Sequence, residues 1–239
     1  MLPDLSRRAT DPELLDEGVP EEEALRSLGD LRLVNRWLGG RRSLCGAVRP
    51  YLGGGSRLLD VGCGSADLPA FLLRSLPAGV VAVGLDIKAL HLRQAPPGIH
   101  RVVGDVRALP FAKHSFDVVT ASLFLHHIDP PEVAAVLRAL FDLARRALVI
   151  NDLHRARLPL LFGRAVFPWI FRSPVSVSDG LLSIRRAFRP EELAAAFAQA
   201  GIGRVAIRRR FPYRLVAVAE HPRQAITTGP ASAPAGATA

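Results

Sequence analysis

The chain is poor in cysteine, lysine and aromatic residues, and it has no long unbroken apolar run. Two cysteines, Cys45 and Cys63, among 239 residues exclude a disulfide framework and a Cys-rich zinc module, and no metal-ligand set is read from the sequence. Of 31 basic residues only Lys88 and Lys113 are lysines. Beside abundant Ala, Gly, Pro and Leu, that imbalance reads as a G+C-rich coding bias rather than a binding face. The net charge of +9 is scattered in short runs such as Arg41-Arg42, Arg185-Arg186 and Arg208 to Arg210. Aromatic residues, 6% of the chain, do not interleave those runs as stacking on bases requires. No specific nucleic-acid partner is therefore expected. The longest apolar stretch, Leu158 to Phe171, contains Pro159, Arg164 and Pro168 and is too short to span a bilayer. Asp4, Arg7 and Arg8 follow Met1 where a secretory leader would be apolar. A cytoplasmic protein without a membrane span is expected.

What is present is a core-forming chain: 49% hydrophobic, with a mean hydropathy of +0.20. Residues 1–55 read as a helical cap. Thr10-Asp11-Pro12-Glu13 resembles a helix start, with acidic residues at the positive end of the dipole. Leu25, Leu28, Leu31, Leu33, Val34 and Trp37 form a stripe, in which Trp37 reads as a core anchor, and Gly39-Gly40 ends it. A second helix is expected over 41–51. Five short apolar runs follow, at 57–61, 80–86, 100–105, 116–121 and 146–152, with helices predicted over 66–76, 88–94 and 131–145. That alternation predicts right-handed βαβ units and a parallel sheet covered on both faces. Periodicity is weak over 153–187, an insertion read as a substrate lid. A helix at 190–200 and two strands, 205–207 and 214–219, come next; the short link around Pro212 makes the pair antiparallel. The Ala, Pro, Thr and Gly-rich tail, 221–239, reads as disordered. The main domain is thus 56–220.

The chemistry concentrates in Leu58-Leu59-Asp60-Val61-Gly62-Cys63-Gly64-Ser65-Ala66-Asp67, a buried strand running through a glycine turn into a helix. Glycine lets a ligand sit against bare backbone. The dinucleotide fingerprint fails because Asp67 stands where a third glycine belongs, and no Gly-Lys-Ser/Thr follows for a phosphate loop. Asp60 before the turn suits a cationic ligand better than a pyrophosphate. Asp86 at the tip of the second strand can accept two ribose hydroxyls, and Asp105 at the tip of the third can accept an adenine amine, with Val106 reading the ring edge. Ligands of open α/β sheets lie outside the strand carboxyl ends, so these acids converge on one crevice.

The series LLDVGCGSADL, VVAVGLD, VVGDVRALPF and SFDVVTASLFLHHI resembles motifs I to IV of the class I S-adenosylmethionine-dependent methyltransferases, and the C-terminal antiparallel pair extends the likeness to about residue 220. It implies a Rossmann-like, seven-stranded, mostly parallel sheet with an antiparallel hairpin and helices on both faces. It also implies S-adenosyl-L-methionine as cofactor. The loop Asp60, Gly62, Cys63 and Gly64 would line the methionine moiety, Asp86 with Ile87 the ribose, and Asp105 with Val106 the adenine. Ala121 and Ser122 would lie beneath the sulfonium end. Ala66 departs from a usual glycine, with a slight squeeze expected. Asp67 is left between a helix-start role and a cofactor contact, and Asp117 is read as structural.

A phenol needs a base. His126 or His154 is the expected general base, with Asp152 in reserve and His127 a packed wall. The stretches Asp30 to Gly39 and Ile150 to Arg155 are similar to a small-molecule branch, the ubiquinone and menaquinone enzymes and those encoded beside polyketide synthases. That likeness implies O-methylation of a phenolic or polyketide-like hydroxyl, with C-methylation of a quinone-precursor ring or RNA or protein methylation as alternatives. It places Asn35 or Arg36 near the methionine carboxylate. In the lid, Phe162, Phe167, Trp169, Ile170 and Phe171 would line an apolar pocket, and Asp179, Arg185 and Arg186 would meet polar groups.

Overall fold

The computed structural model describes residues 4–222. Seven strands form one sheet: β1 (Arg57–Val61), β2 (Val81–Asp86), β3 (Ile99–Val103), β4 (Phe116–Ser122), β5 (Ala144–Leu153), β6 (Val205–Arg210) and β7 (Arg214–Glu220), in the order β3-β2-β1-β4-β5-β7-β6. The first five pair in parallel, and β7 runs antiparallel to both β5 and β6. β1 and β4 are buried along most of their length, as central parallel strands covered by helices must be. The strand order reverses between β1 and β4, which opens a crevice at their carboxyl ends.

Helices cover both faces. α6 (Val133–Leu143) and α9 (Pro190–Gln199) bury Leu137, Leu140, Leu193 and Phe197 against one face. α3 (Gly40–Val48), α4 (Asp67–Ser75) and α5 (Ala89–Arg93) bury Leu44, Leu72 and Leu92 against the other. Asp117 is structural as expected: its Oδ2 accepts the Arg57 backbone N–H at 2.9 Å.

Several expectations are corrected. The weakly periodic 153–187 segment is two packed helices, α7 (Arg157–Ile170) and α8 (Pro174–Arg186), with Ser173 capping the second through Ser176 N–H at 3.2 Å. Two internal prolines and a split apolar pattern blur the period. Thr10 to Glu13 is not a capped helix start. Only Leu14–Glu17 (α1) turns helical, and Glu13 makes no capping bond. α2 (Glu21–Trp37) carries the leucine stripe, but Trp37 is 69% exposed rather than a core anchor. β3 stops at Val103, so Asp105 caps the following single turn, Val106–Ala108, through the Arg107 backbone N–H. The tail expectation falls almost wholly outside the described residues. Among the described residues no helix is long and apolar enough to cross a membrane.

Candidate active site

The crevice begins at the loop after β1. Gly62, Gly64 and Ala66 all adopt left-handed backbone, with φ of 63°, 55° and 53°. Gly62 has a second constraint: a Cβ there would lie 2.1 Å from the Phe124 ring. Ala66 pays in backbone strain rather than in space, about 1–2 kcal/mol for a non-glycine residue in this region. Leu28 and Leu31 of α2 lie over Gly64, at 3.7 and 4.0 Å from where its Cβ would be.

Asp86 organises this loop. Its Oδ2 accepts the Gly64 N–H at 2.8 Å and its Oδ1 the Lys88 N–H at 2.9 Å, with His91 at 3.4 Å. Burial would raise its carboxyl, but His91 and the two amides hold it below the ordinary range. Asp60 is the opposite case. Burial pushes it up to about 7 against the single hydrogen bond from Thr120 Oγ1 at 2.6 Å, and Asp67 and Asp86 add to the rise. Asp67 does neither job expected of it alone: it opens α4, and its side chain ties that helix to the cap by accepting from Asn35 Nδ2 at 3.1 Å and Arg41 at 3.4 Å. Asn35 is thereby engaged by Asp67, and Arg36 is exposed beside Trp37.

The other expected cofactor residues divide. Cys63 turns its sulfur against Gly84, 2.8 Å from where a Cβ there would be, and burial pushes its thiol up, so only its backbone faces the loop. Ile87 is exposed at the tip of β2, Val106 is buried in the core, and Asp105 pairs with Arg107 at 3.6 Å. Ala121 is buried within β4, and Ser122 accepts from Asn151 Nδ2 at 3.3 Å.

A cavity of about 150 Å³ lies between α2, α7, α8 and the turn after β4. Leu28, Leu31 and Val34 wall one side; Phe162, Phe167 and Phe171 wall another. Trp169 and Ile170, expected in this wall, point outward instead. The polar corner is built from Glu13, His126 and His127. His126 is buried, with Nδ1 donating to Asp152 Oδ1 at 2.7 Å and Nε2 3.6 Å from Glu13 Oε1. Burial alone would lower its pKa, but Asp152 and Glu13 carry it up to about 9, which favours its charged form. His127 is half-buried, its Nδ1 2.7 Å from Asp16 Oδ2 and its Nε2 3.9 Å from Glu13 Oε2. That second gap is too wide for a hydrogen bond and leaves Nε2 open to the cavity. Burial would raise the Glu13 carboxyl, but His126, His127 and Ser183 hold it low.

His154 does not join this corner. It sits beyond β5, where its N–H bonds Tyr213 O at 3.0 Å, and burial and neighbouring arginines lower its pKa. Asp152 is committed to His126. Asp179 lines the cavity but also accepts the Leu14 and Leu15 N–H groups at 2.9 Å, and Arg186, outside it, donates to the His126 and His127 carbonyls at 3.1 and 2.9 Å. Arg185 pairs loosely with Asp11 at 3.9 Å. Glu13 and Asp16 are the residues beside the histidines that sequence reasoning missed. They lie more than 100 residues from the histidines, and first-turn acids read naturally as dipole partners.

Residues 58–147 match the family model described as a methyltransferase domain. That match spans less than half of the chain. No curated protein matches the chain in sequence. Among solved structures, an S-adenosylmethionine-dependent methyltransferase from Aquifex aeolicus is similar over 85% of this chain and 99% of its own, at 14% identity and TM-score 0.62. One from Methanosarcina mazei is similar over 72% of this chain and 94% of its own, at 19% identity and TM-score 0.52. These likenesses show the shared fold.

S-adenosylmethionine is the cofactor that these likenesses imply, and the residues fit it. The molecule carries an ammonium and a sulfonium, and the crevice holds three carboxylates, of which the buried Asp60 has acids rather than a cation around it. A cationic ligand relieves that arrangement. Asp86 keeps lone pairs for ribose hydroxyls beyond the two amides it accepts. Asp86→Ala should weaken S-adenosylhomocysteine binding by roughly ten- to a hundredfold, the loss of charge-assisted hydrogen bonds plus a loosened loop. Calorimetry checks this, and an unchanged affinity would move the ribose elsewhere.

Proposed function

We propose that this methyltransferase acts on a phenolic or polyketide-like hydroxyl of a small, largely apolar molecule seated beneath α7 and α8. The observation that carries the reading is the apolar cavity with one polar corner, where His127 alone of the candidate bases is both oriented and open. Bound S-adenosylmethionine would supply an electrophilic methyl carbon, its sulfonium–carbon bond breaking to leave S-adenosylhomocysteine. His127, fixed by its Nδ1–H bond to Asp16, takes the hydroxyl proton at Nε2 as the oxygen forms its new bond to carbon. The Glu13 carboxylate lies across the corner, 3.9 Å from that nitrogen. His126 serves as a fixed cation rather than as the base, and Asp152 holds its orientation. In this reading residues 1–55 form a cap that lays α2 over the loop, and 153–187 form a lid that excludes water.

The test is transfer of isotope-labelled methyl to a panel of alkyl-substituted phenols, quinone-precursor rings, bulk RNA and peptides, with the product bond assigned by NMR. Label on phenolic oxygen is the expected result. Label found only on ring carbon, RNA or peptide would overturn it.

A further inference from the structure

The chain has two tryptophans, and both lie outside: Trp37 is 69% and Trp169 87% exposed. Phe211, at the β6–β7 turn, is 91% exposed. Trp169 belongs to a pattern. At 100° per residue, Leu158, Leu161, Ala165, Pro168 and Trp169 of α7 fall within about 100° of arc, and all are exposed. Leu160, Gly163 and Phe167 occupy the opposite, buried side, and Phe167 lines the cavity. Arg157 and Arg164 are exposed together along one edge of the outer stripe. No aspartate or glutamate occurs from 153 to 178. The hairpin turn meets both α7 and the end of α2: the Tyr213 ring is 5.5 Å from that of Phe162, and Phe211 O is 2.7 Å from where a Gly39 Cβ would lie. Each exposed aromatic there adjoins an arginine, Trp37 with Arg36 at 5.1 Å and Phe211 next to the exposed Arg210.

We propose that the outer face of α7, with Trp37 and Phe211 beside it, docks on an anionic lipid bilayer surface. Apolar and tryptophan side chains on one face of a helix edged by arginine suit the plane of a headgroup region. A second copy of the chain suits it less. An isologous dimer would set this patch against itself, bringing arginines together with no carboxylate on α7 to answer them. The same helix roofs the cavity, so docking would bring an apolar acceptor from the bilayer to within one helix thickness of His127.

The two tryptophans provide the readout. Full-length protein is titrated with vesicles of phosphatidylglycerol and phosphatidylcholine in equal parts, and separately with phosphatidylcholine alone, following tryptophan emission and co-sedimentation. A blue shift and sedimentation with the anionic vesicles are expected, weakened by salt as surface attraction is screened. Leu158→Glu with Leu161→Glu should reduce that partition roughly tenfold or more, while S-adenosylhomocysteine affinity and circular dichroism stay as in the parent. No binding to either vesicle, or binding that the double variant leaves intact, would overturn the proposal. So would a dimer in light scattering that the double variant dissociates.

Discussion

His127→Gln is expected to lower turnover by about 10²–10⁴, the usual worth of a general base, with S-adenosylhomocysteine affinity unchanged. Glutamine keeps the polar bulk beside Asp16 but cannot take a proton near neutral pH. The loss should shrink for phenols acidic enough to ionise unaided, since their proton is already gone. Steady-state rates across a series of phenols of graded acidity check this. An equal loss for every member would mean that His127 only shapes the cavity. His154→Gln is the control that should change nothing, because His154 is not among the residues that line the cavity.

Asp152→Ala should destabilise the fold by about 3–5 kcal/mol, the cost of leaving a buried charge without its partner. Asp152 is fully engaged: it accepts from His126 Nδ1 at 2.7 Å, from the His126 backbone at 3.1 Å and from Leu153 N–H at 2.7 Å. The same pair sets a pH dependence. Raised to about 9 when folded, the His126 imidazole contributes stability that is fully present below its ordinary value near 6.5 and lost as pH rises through 9. Asp152, held to about 2 against the rise that burial alone would cause, contributes stability present above about 3.9 and lost as pH falls toward 2. Denaturant unfolding across this range should show the parent weakening between about pH 6.5 and 9. The variant should be flatter there, and parallel curves would remove the pair from the account.

The donor side of the molecule was legible because its signals are local. Leu58 to Asp67 and Val80 to Asp86 each place a strand and its functional tip within one short segment, and the sheet order follows from alternation and handedness. The acceptor side was not. His126 and His127 are adjacent in sequence, yet their roles are set by carboxylates far apart in the chain, Asp152 for one and Asp16 for the other. Sequence gave no means of seeing that burial between two acids would charge the first ring and leave the second as the open one. Arg186 is a related case: a charged residue in a lid suggests a ligand, whereas this one satisfies backbone carbonyls of a neighbouring segment.

The strap from Arg8 to Glu17 has a further meaning for how such a molecule can change over generations. It contributes nothing to the sheet, yet it brings Glu13 to the polar corner of the cavity and Asp16 to the His127 ring. Altering this stretch, together with the outer reaches of α7 and α8, can retune which molecule is modified without disturbing the strands that hold the donor. On the proposed reading, variation in these segments is separable from the constraint on the strands and the glycine loop that follows β1.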